Sequence, residues 1–75
     1  HNPFVVNDWA LAKAFQIDPF ARMNAFGSSL VFGHPQGPTG MRLIVELIEE
    51  LRRKGGGYGL FTGCAAGDSA MALII

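Results

Sequence analysis

Lys54-Gly55-Gly56-Gly57-Tyr58-Gly59-Leu60-Phe61-Thr62-Gly63-Cys64 is the stretch on which the fold turns. Three successive glycines cannot continue a helix at low cost, so a helix that reaches Lys54 stops there. Beyond them, Tyr58 to Thr62 carries the aromatic and β-branched residues of a strand. Upstream, Met41, Ile44, Val45, Ile48 and Leu51 recur at helical spacing, and Leu43 and Leu47 widen the apolar face. A helix follows from an N-cap at Thr39 to about Lys54, buried on two sides. Arg52, Arg53 and Lys54 close it as a solvated helix end, where cations complement the macrodipole. Gly63 to Asp68 reads as a tight connection. Ala70 to Ile75 lacks alternation and reads as a second, fully buried strand. Helix, strand, turn and strand in this order make the chain α/β.

Towards the N-terminus, Pro3 suits the first position of a helix. Phe4, Val5, Trp9, Ala12 and Phe15 follow at three- and four-residue spacing. An amphipathic helix is expected from Pro3 to about Ala14. Ile17-Asp18-Pro19 ends it, because a residue before proline avoids helical geometry. Phe20 to Asn24 suits a short helical turn. Ala25 to Gly40 holds four glycines and two prolines around Leu30-Val31-Phe32, and reads as a long shaped loop.

The chain has 75 residues, six basic and six acidic, and no net charge at neutral pH. A nucleic-acid binder needs a cationic excess to displace counterions, so that class is set aside. No apolar run approaches the roughly 20 residues of a membrane span. A single cysteine excludes an internal disulfide and suits a reducing, cytoplasmic compartment. A domain of this length buries only about 60% of the surface its unfolded chain exposes. With no disulfide and no ligand spacing for a metal, the chain reads as part of a larger core: two helices and two strands whose remaining partners lie elsewhere.

Three residues could carry chemistry: His34, Cys64 and His1. Gly33 frees the backbone to approach another group closely, and Pro35 fixes the exit from His34. An imidazole held this way suits proton transfer from a thiol near neutral pH. Cys64 lies among small residues where an acyl group can approach, beside main-chain N–H groups suited to an oxyanion hole. A Cys–His hydrolase pair is an alternative use of the same residues. Gly55-Gly56-Gly57 is no phosphate loop, since it follows a helix and no Lys-Ser/Thr succeeds it.

Gly27-Ser28-Ser29-Leu30-Val31-Phe32-Gly33-His34-Pro35-Gln36-Gly37-Pro38-Thr39-Gly40 resembles the thiolase loop of pattern GGAxxxGHPxGASG. Tyr58-Gly59-Leu60-Phe61-Thr62-Gly63-Cys64 resembles the thiolase segment ending in the second active-site cysteine. Together with the opening residues these blocks cover nearly the whole chain, as the C-terminal portion of a thiolase-fold domain of layered α/β/α architecture.

The resemblance implies an acyl-CoA acetyltransferase that joins or cleaves acyl units on coenzyme A. Its nucleophilic cysteine would lie upstream of residue 1, so residues 1–75 alone are expected to be inactive. His34 matches the histidine that activates that nucleophile and helps hold a thioester oxygen. Cys64 matches the cysteine that moves the proton at the substrate α-carbon. His1 matches the first position of the NEAF-type motif, which holds an oxyanion-hole water, and Phe4 matches that motif's pocket-lining phenylalanine. Gly33 and Ala66 are expected to bind substrate through the main chain. Family likeness further implies acetyl-CoA or another acyl-CoA as partner, no cofactor beyond the coenzyme A thioester, a homo-oligomer, and a role in lipid metabolism.

The match has departures. The family turn is usually Cys-x-Gly-Gly-Gly, whereas this chain has Cys64-Ala65-Ala66-Gly67-Asp68. An oxyanion hole at Ala66 is expected only if that residue needs no positive φ. The same turn keeps open an alternative, a non-catalytic acyl-CoA-binding or assembly subunit.

Overall fold

The computed structural model describes residues 1–75. Its elements are α1 (Val5–Phe15), α2 (Pro19–Arg22), α3 (Ser29–Phe32), α4 (Thr39–Arg53), β1 (Leu60–Cys64) and β2 (Ala70–Ile74). They fall into two compact units, one of Asn2–His34 and one of Pro35–Ile75 with His1.

In the first unit, α1 starts later than its proline suggests. Phe4 is extended, at φ −135° and ψ 146°, and is the N-cap. Its N–H donates to the Asn7 side chain at 3.2 Å, a local bond that competes with an earlier start. The helix ends at Gln16, which takes a left-handed conformation at φ 54°. The amphipathic face is narrower than expected: Ala12 is the buried residue of α1, while Trp9 and Phe15 stay mostly exposed. Asp18 caps α2 by accepting from the Phe20 N–H at 2.9 Å. The expected long loop contains a further helical turn, α3. Ser28 caps it, its Oγ accepting from the Leu30 N–H at 3.2 Å. A helical turn this short does not nucleate unaided, and the cap supplies what its length lacks.

In the second unit, α4 runs 15 residues. Thr39 is its first residue and Pro38 its N-cap. The threonine is buried and turns its hydroxyl back to the Pro35 carbonyl at 2.7 Å, so it closes the preceding turn instead of capping. Leu43, Ile44, Leu47 and Leu51 are half-buried, whereas Met41, Val45 and Ile48 are exposed. The cationic end is paired as well as solvated. Arg52 meets Glu49 at 2.8 Å, Arg53 meets Glu50 at 2.8 Å, and Lys54 meets Glu50 at 3.1 Å. The Arg53 hydrogen bond, with help from Lys54, holds the Glu50 carboxyl below its ordinary value.

β1 and β2 form an antiparallel pair in the register Leu60↔Ile74 to Cys64↔Ala70. The expected strand at Tyr58 to Thr62 is thus displaced by two residues, and Cys64 is the last residue of β1, not part of the connection. Pairing decides this, because Gly59 and Ile75 exchange both main-chain bonds, at 2.9 and 3.0 Å, and fix the register. Phe61 is buried, and β2 is exposed along its whole length within residues 1–75, where the partners expected to cover it are not present. Two strands with a helix beside β1 leave β2 uncovered.

Close approach of α4 to β1 depends on Gly59. A Cβ there would lie 2.5 Å from Leu47 Cδ1 and 2.9 Å from Leu47 Cγ. Gly59→Ala in the full-length protein is expected to lower stability by about 1–3 kcal/mol through overpacking. Thermal unfolding should show the loss and its partial recovery in Leu47→Ala/Gly59→Ala. An unchanged melting temperature for Gly59→Ala would remove this contact from the fold.

Candidate active site

Cys64 sits where β1 ends, with an exposed thiol. Alternate residues of β1 bond to β2 through Gly59, so the main-chain groups of Leu60 and Thr62 point to the opposite edge. The His1 main-chain nitrogen donates to the Thr62 carbonyl on that edge. His1 is therefore held against the strand that carries Cys64. Its Cβ lies 3.3 Å from where a Gly63 Cβ would stand, and the Phe61 ring lies 2.9 Å from the same point. Glycine at 63 lets His1 and Phe61 share one side of β1, and Cys64, one residue on, points to the other side.

After Cys64 the chain reverses through three left-handed residues: Ala66 at φ 62°, Gly67 at φ 58° and Asp68 at φ 59°. Ala65 N–H donates to the Ser69 carbonyl at 2.9 Å, and Ser69 N–H to the Ala66 carbonyl at 3.2 Å. Ser69 Oγ donates to the same Ala66 carbonyl at 2.7 Å. Positive φ at both central residues of the Ala66–Ser69 turn is the primed geometry that matches strand twist. The condition attached to Ala66 therefore resolves against the expectation: this residue does take positive φ. An alanine there is held in a left-handed conformation, with its Cβ strained against the following carbonyl.

His34 belongs to the first unit. It is exposed and follows Gly33, the C-cap of α3. Gly33 has φ 81° and ψ 178°, a backbone state that glycine alone visits readily. A Cβ at Gly33 would meet no atom within 4 Å. Within residues 1–75 it is the conformation that requires glycine at 33, and a close approach to the backbone is found at Gly27. There, at φ 118°, a Cβ would come within 2.7 Å of Phe32 Cε2. Phe4 caps α1 with its ring mostly exposed. No three His, Cys, Asp or Glu side chains gather as metal ligands, and no helix is long and apolar enough to cross a membrane.

Sequence reasoning missed the most buried polar side chain, Asn2, which is 2% exposed. Its Oδ1 accepts from the Ser29 N–H at 3.0 Å, and its Nδ2 donates to Asp8 Oδ2 at 2.6 Å. Asn24 Nδ2 reaches the same Asp8 oxygen at 3.2 Å. An asparagine just ahead of a helix reads as a cap, and nothing in the spacing shows that its partner is 27 residues away.

A family model described as the thiolase C-terminal domain matches residues 1–75. The 3-ketoacyl-CoA thiolase of Pseudoalteromonas atlantica is 40% identical, over all of this chain and 21% of its own length. The same-named proteins of Alteromonas mediterranea and Yersinia enterocolitica are 37% and 38% identical over the same shares. The chain spans about a fifth of the length of the curated relatives it matches. No solved structure matches it.

Replacing Ala66 by glycine removes the left-handed Cβ strain and should stabilise the full-length protein by about 1 kcal/mol. Ala66→Val should destabilise it by more than that. Paired melting curves give the sign, and a lower midpoint for Ala66→Gly would contradict a left-handed Ala66.

Proposed function

This chain belongs to the thiolase family, as its C-terminal domain, and from that premise we propose that the whole protein forms or cleaves the carbon–carbon bond next to an acyl-CoA thioester. The observation that carries the reading is the family match over all 75 residues with His34, Cys64 and His1 each standing at a motif position. The relatives' name suggests 3-ketoacyl-CoA as the substrate class.

Claisen chemistry needs a covalent acyl carrier, a base for a weak carbon acid, and charge stabilisation on two thioester oxygens. In the proposed reaction, a nucleophilic cysteine in the remainder of the protein attacks the acyl-CoA carbonyl as His34 accepts its thiol proton; the acyl–sulfur bond to coenzyme A breaks, and coenzyme A leaves with that proton as the free thiol. The Cys64 thiolate then removes a proton from the α-carbon of the acetyl thioester. The resulting carbanion attacks the acyl-enzyme carbonyl, the new carbon–carbon bond forms, and the nucleophile leaves as thiolate. Thiolysis runs the same steps in reverse. His1 would orient an oxyanion-hole water, Phe4 would line the acyl pocket, and Gly33 would meet the thioester through its main chain.

What supports Cys64 in the base role is its exposure at the end of a strand whose other edge is pinned by His1. A proton acceptor for a carbon acid has to be reachable yet fixed, and a strand terminus satisfies both. Coenzyme A enters as part of the substrate, with no separate cofactor. A homo-oligomeric cytoplasmic enzyme of lipid metabolism is the setting in which this chemistry fits.

His34→Ala in the full-length protein is expected to lose acyl-enzyme formation, read by mass spectrometry after mixing with an acyl-CoA. Cys64→Ala should still acylate but lose α-proton exchange and condensation, a drop of at least about 10²-fold. Normal condensation by Cys64→Ala would refute the base assignment. Retained coenzyme A binding without turnover in the unaltered protein would favour the non-catalytic subunit.

A further inference from the structure

The Asn2 network lies outside the residues assigned to chemistry, yet it ends at the helical turn that delivers His34. The orientation of the amide is fixed by its neighbours. Ser29 N–H is an obligatory donor and must face Oδ1, and the Asp8 carboxylate is an acceptor and must face Nδ2. The Ser29 bond is made in a nearly dry setting, since Asn2 is 2% and Ser29 5% exposed, and the Asp8 bond at its half-buried rim. Burying a primary amide is costly unless its hydrogen bonds are made, so this one locks the two segments it joins.

Ser29 is a sensitive place to anchor. The bonds of α3 hang from two carbonyls: Val31 and Phe32 N–H on Ser28 at 3.0 Å, and Gly33 N–H on Ser29 at 2.9 Å. His34 follows Gly33 with no intervening residue. Any shift of the Ser29 peptide is passed through one rigid turn to the histidine backbone.

We propose that Asn2 is a positioning residue for His34, and that the Asn2–Asp8 pair is a clamp setting the place of the imidazole through Ser29. The proposal rests on the catalytic reading of His34 for its kinetic consequence and on the network alone for its structural one. The polarity of the clamp is reversible on paper. With Asp at 2 and Asn at 8, the carboxylate accepts from Ser29 N–H and from the new amide nitrogen, and only the exposed Asn24 bond, made to that same position, is given up. Leucine at 2 keeps the volume and can make neither bond.

The experiment compares Asn2→Leu, the exchange Asn2→Asp/Asp8→Asn, and the unaltered full-length protein. The readouts are amide hydrogen exchange at Ser29, the NMR signals of the His34 ring, and the kcat and KM of thiolysis. Asn2→Leu is expected to lose Ser29 protection, shift the His34 signals and lower kcat about 10- to 100-fold with KM nearly unchanged. The exchange variant should restore all three to within about threefold of the unaltered values. Full protection and unshifted His34 signals in Asn2→Leu would overturn the clamp. So would an exchange variant no better than Asn2→Leu. Should Asn2→Leu fail to fold, Asp8→Ala takes its place on the more exposed partner. If the unaltered protein shows no thiolysis, the functional reading falls, while Ser29 protection and the His34 signals still decide the clamp.

Discussion

β1 is constrained on both of its edges. One edge pairs with β2 in a register closed by the reciprocal Gly59–Ile75 bonds. The other accepts the His1 main-chain nitrogen at Thr62. A strand held on a single edge can slip by a residue and turn every side chain to the other face. Slippage here would break bonds on both sides at once. The position of Cys64, and the direction in which its thiol leaves the strand, are therefore properties of the hydrogen-bond ladder and not of the cysteine's own contacts.

Small residues make that constraint compatible with packing. Gly59 admits Leu47 from α4, and Gly63 admits His1 and Phe61. Both sit on the strand at alternating, same-facing positions that bond to β2, so the lack of a side chain costs no ladder bond while opening one side of the strand. The cost is backbone entropy, and edge pairing offsets part of it. Glycine in this strand marks close approach, and that approach brings α4 and the chain's opening residue to the segment bearing the thiol.

The elements set by strong local signals were legible in the sequence. The three glycines after Lys54, the apolar spacing from Met41 to Leu51, and Asp18-Pro19 each act within a few residues, and each lies where the chain says it should. The family motifs singled out His34 and Cys64 as candidates because their neighbours are unusual in combination. What was not legible depends on distant partners. Cys64 reads as turn until Ala70 is known to pair with it, and Thr39 reads as a cap until the Pro35 carbonyl claims its hydroxyl. The crowding at Gly27 comes from the Phe32 ring, and nothing in the local spacing announces it. Asn2 is the extreme case, a short polar side chain whose two partners lie in different elements.

The turn after Cys64 shows how a chain without the glycine-rich pattern holds a left-handed backbone. Family glycines at this turn permit left-handed φ without penalty, and the present chain takes the same region with alanine and aspartate flanking one glycine. Aspartate tolerates the region better than most residues, because a short polar side chain can bond locally. Alanine has no such means, so the strain at Ala66 has to be balanced by its surroundings. Two donors converge on the Ala66 carbonyl, the Ser69 N–H and the Ser69 hydroxyl. Together with the Ala65–Ser69 bond they tie the turn to the strand pair. Strain of this kind persists when the surrounding bonds over-determine the conformation. Ser69 is thus the compensating residue of the turn, and the departure from the glycine-rich pattern reads as a substitution of one means of holding the backbone for another.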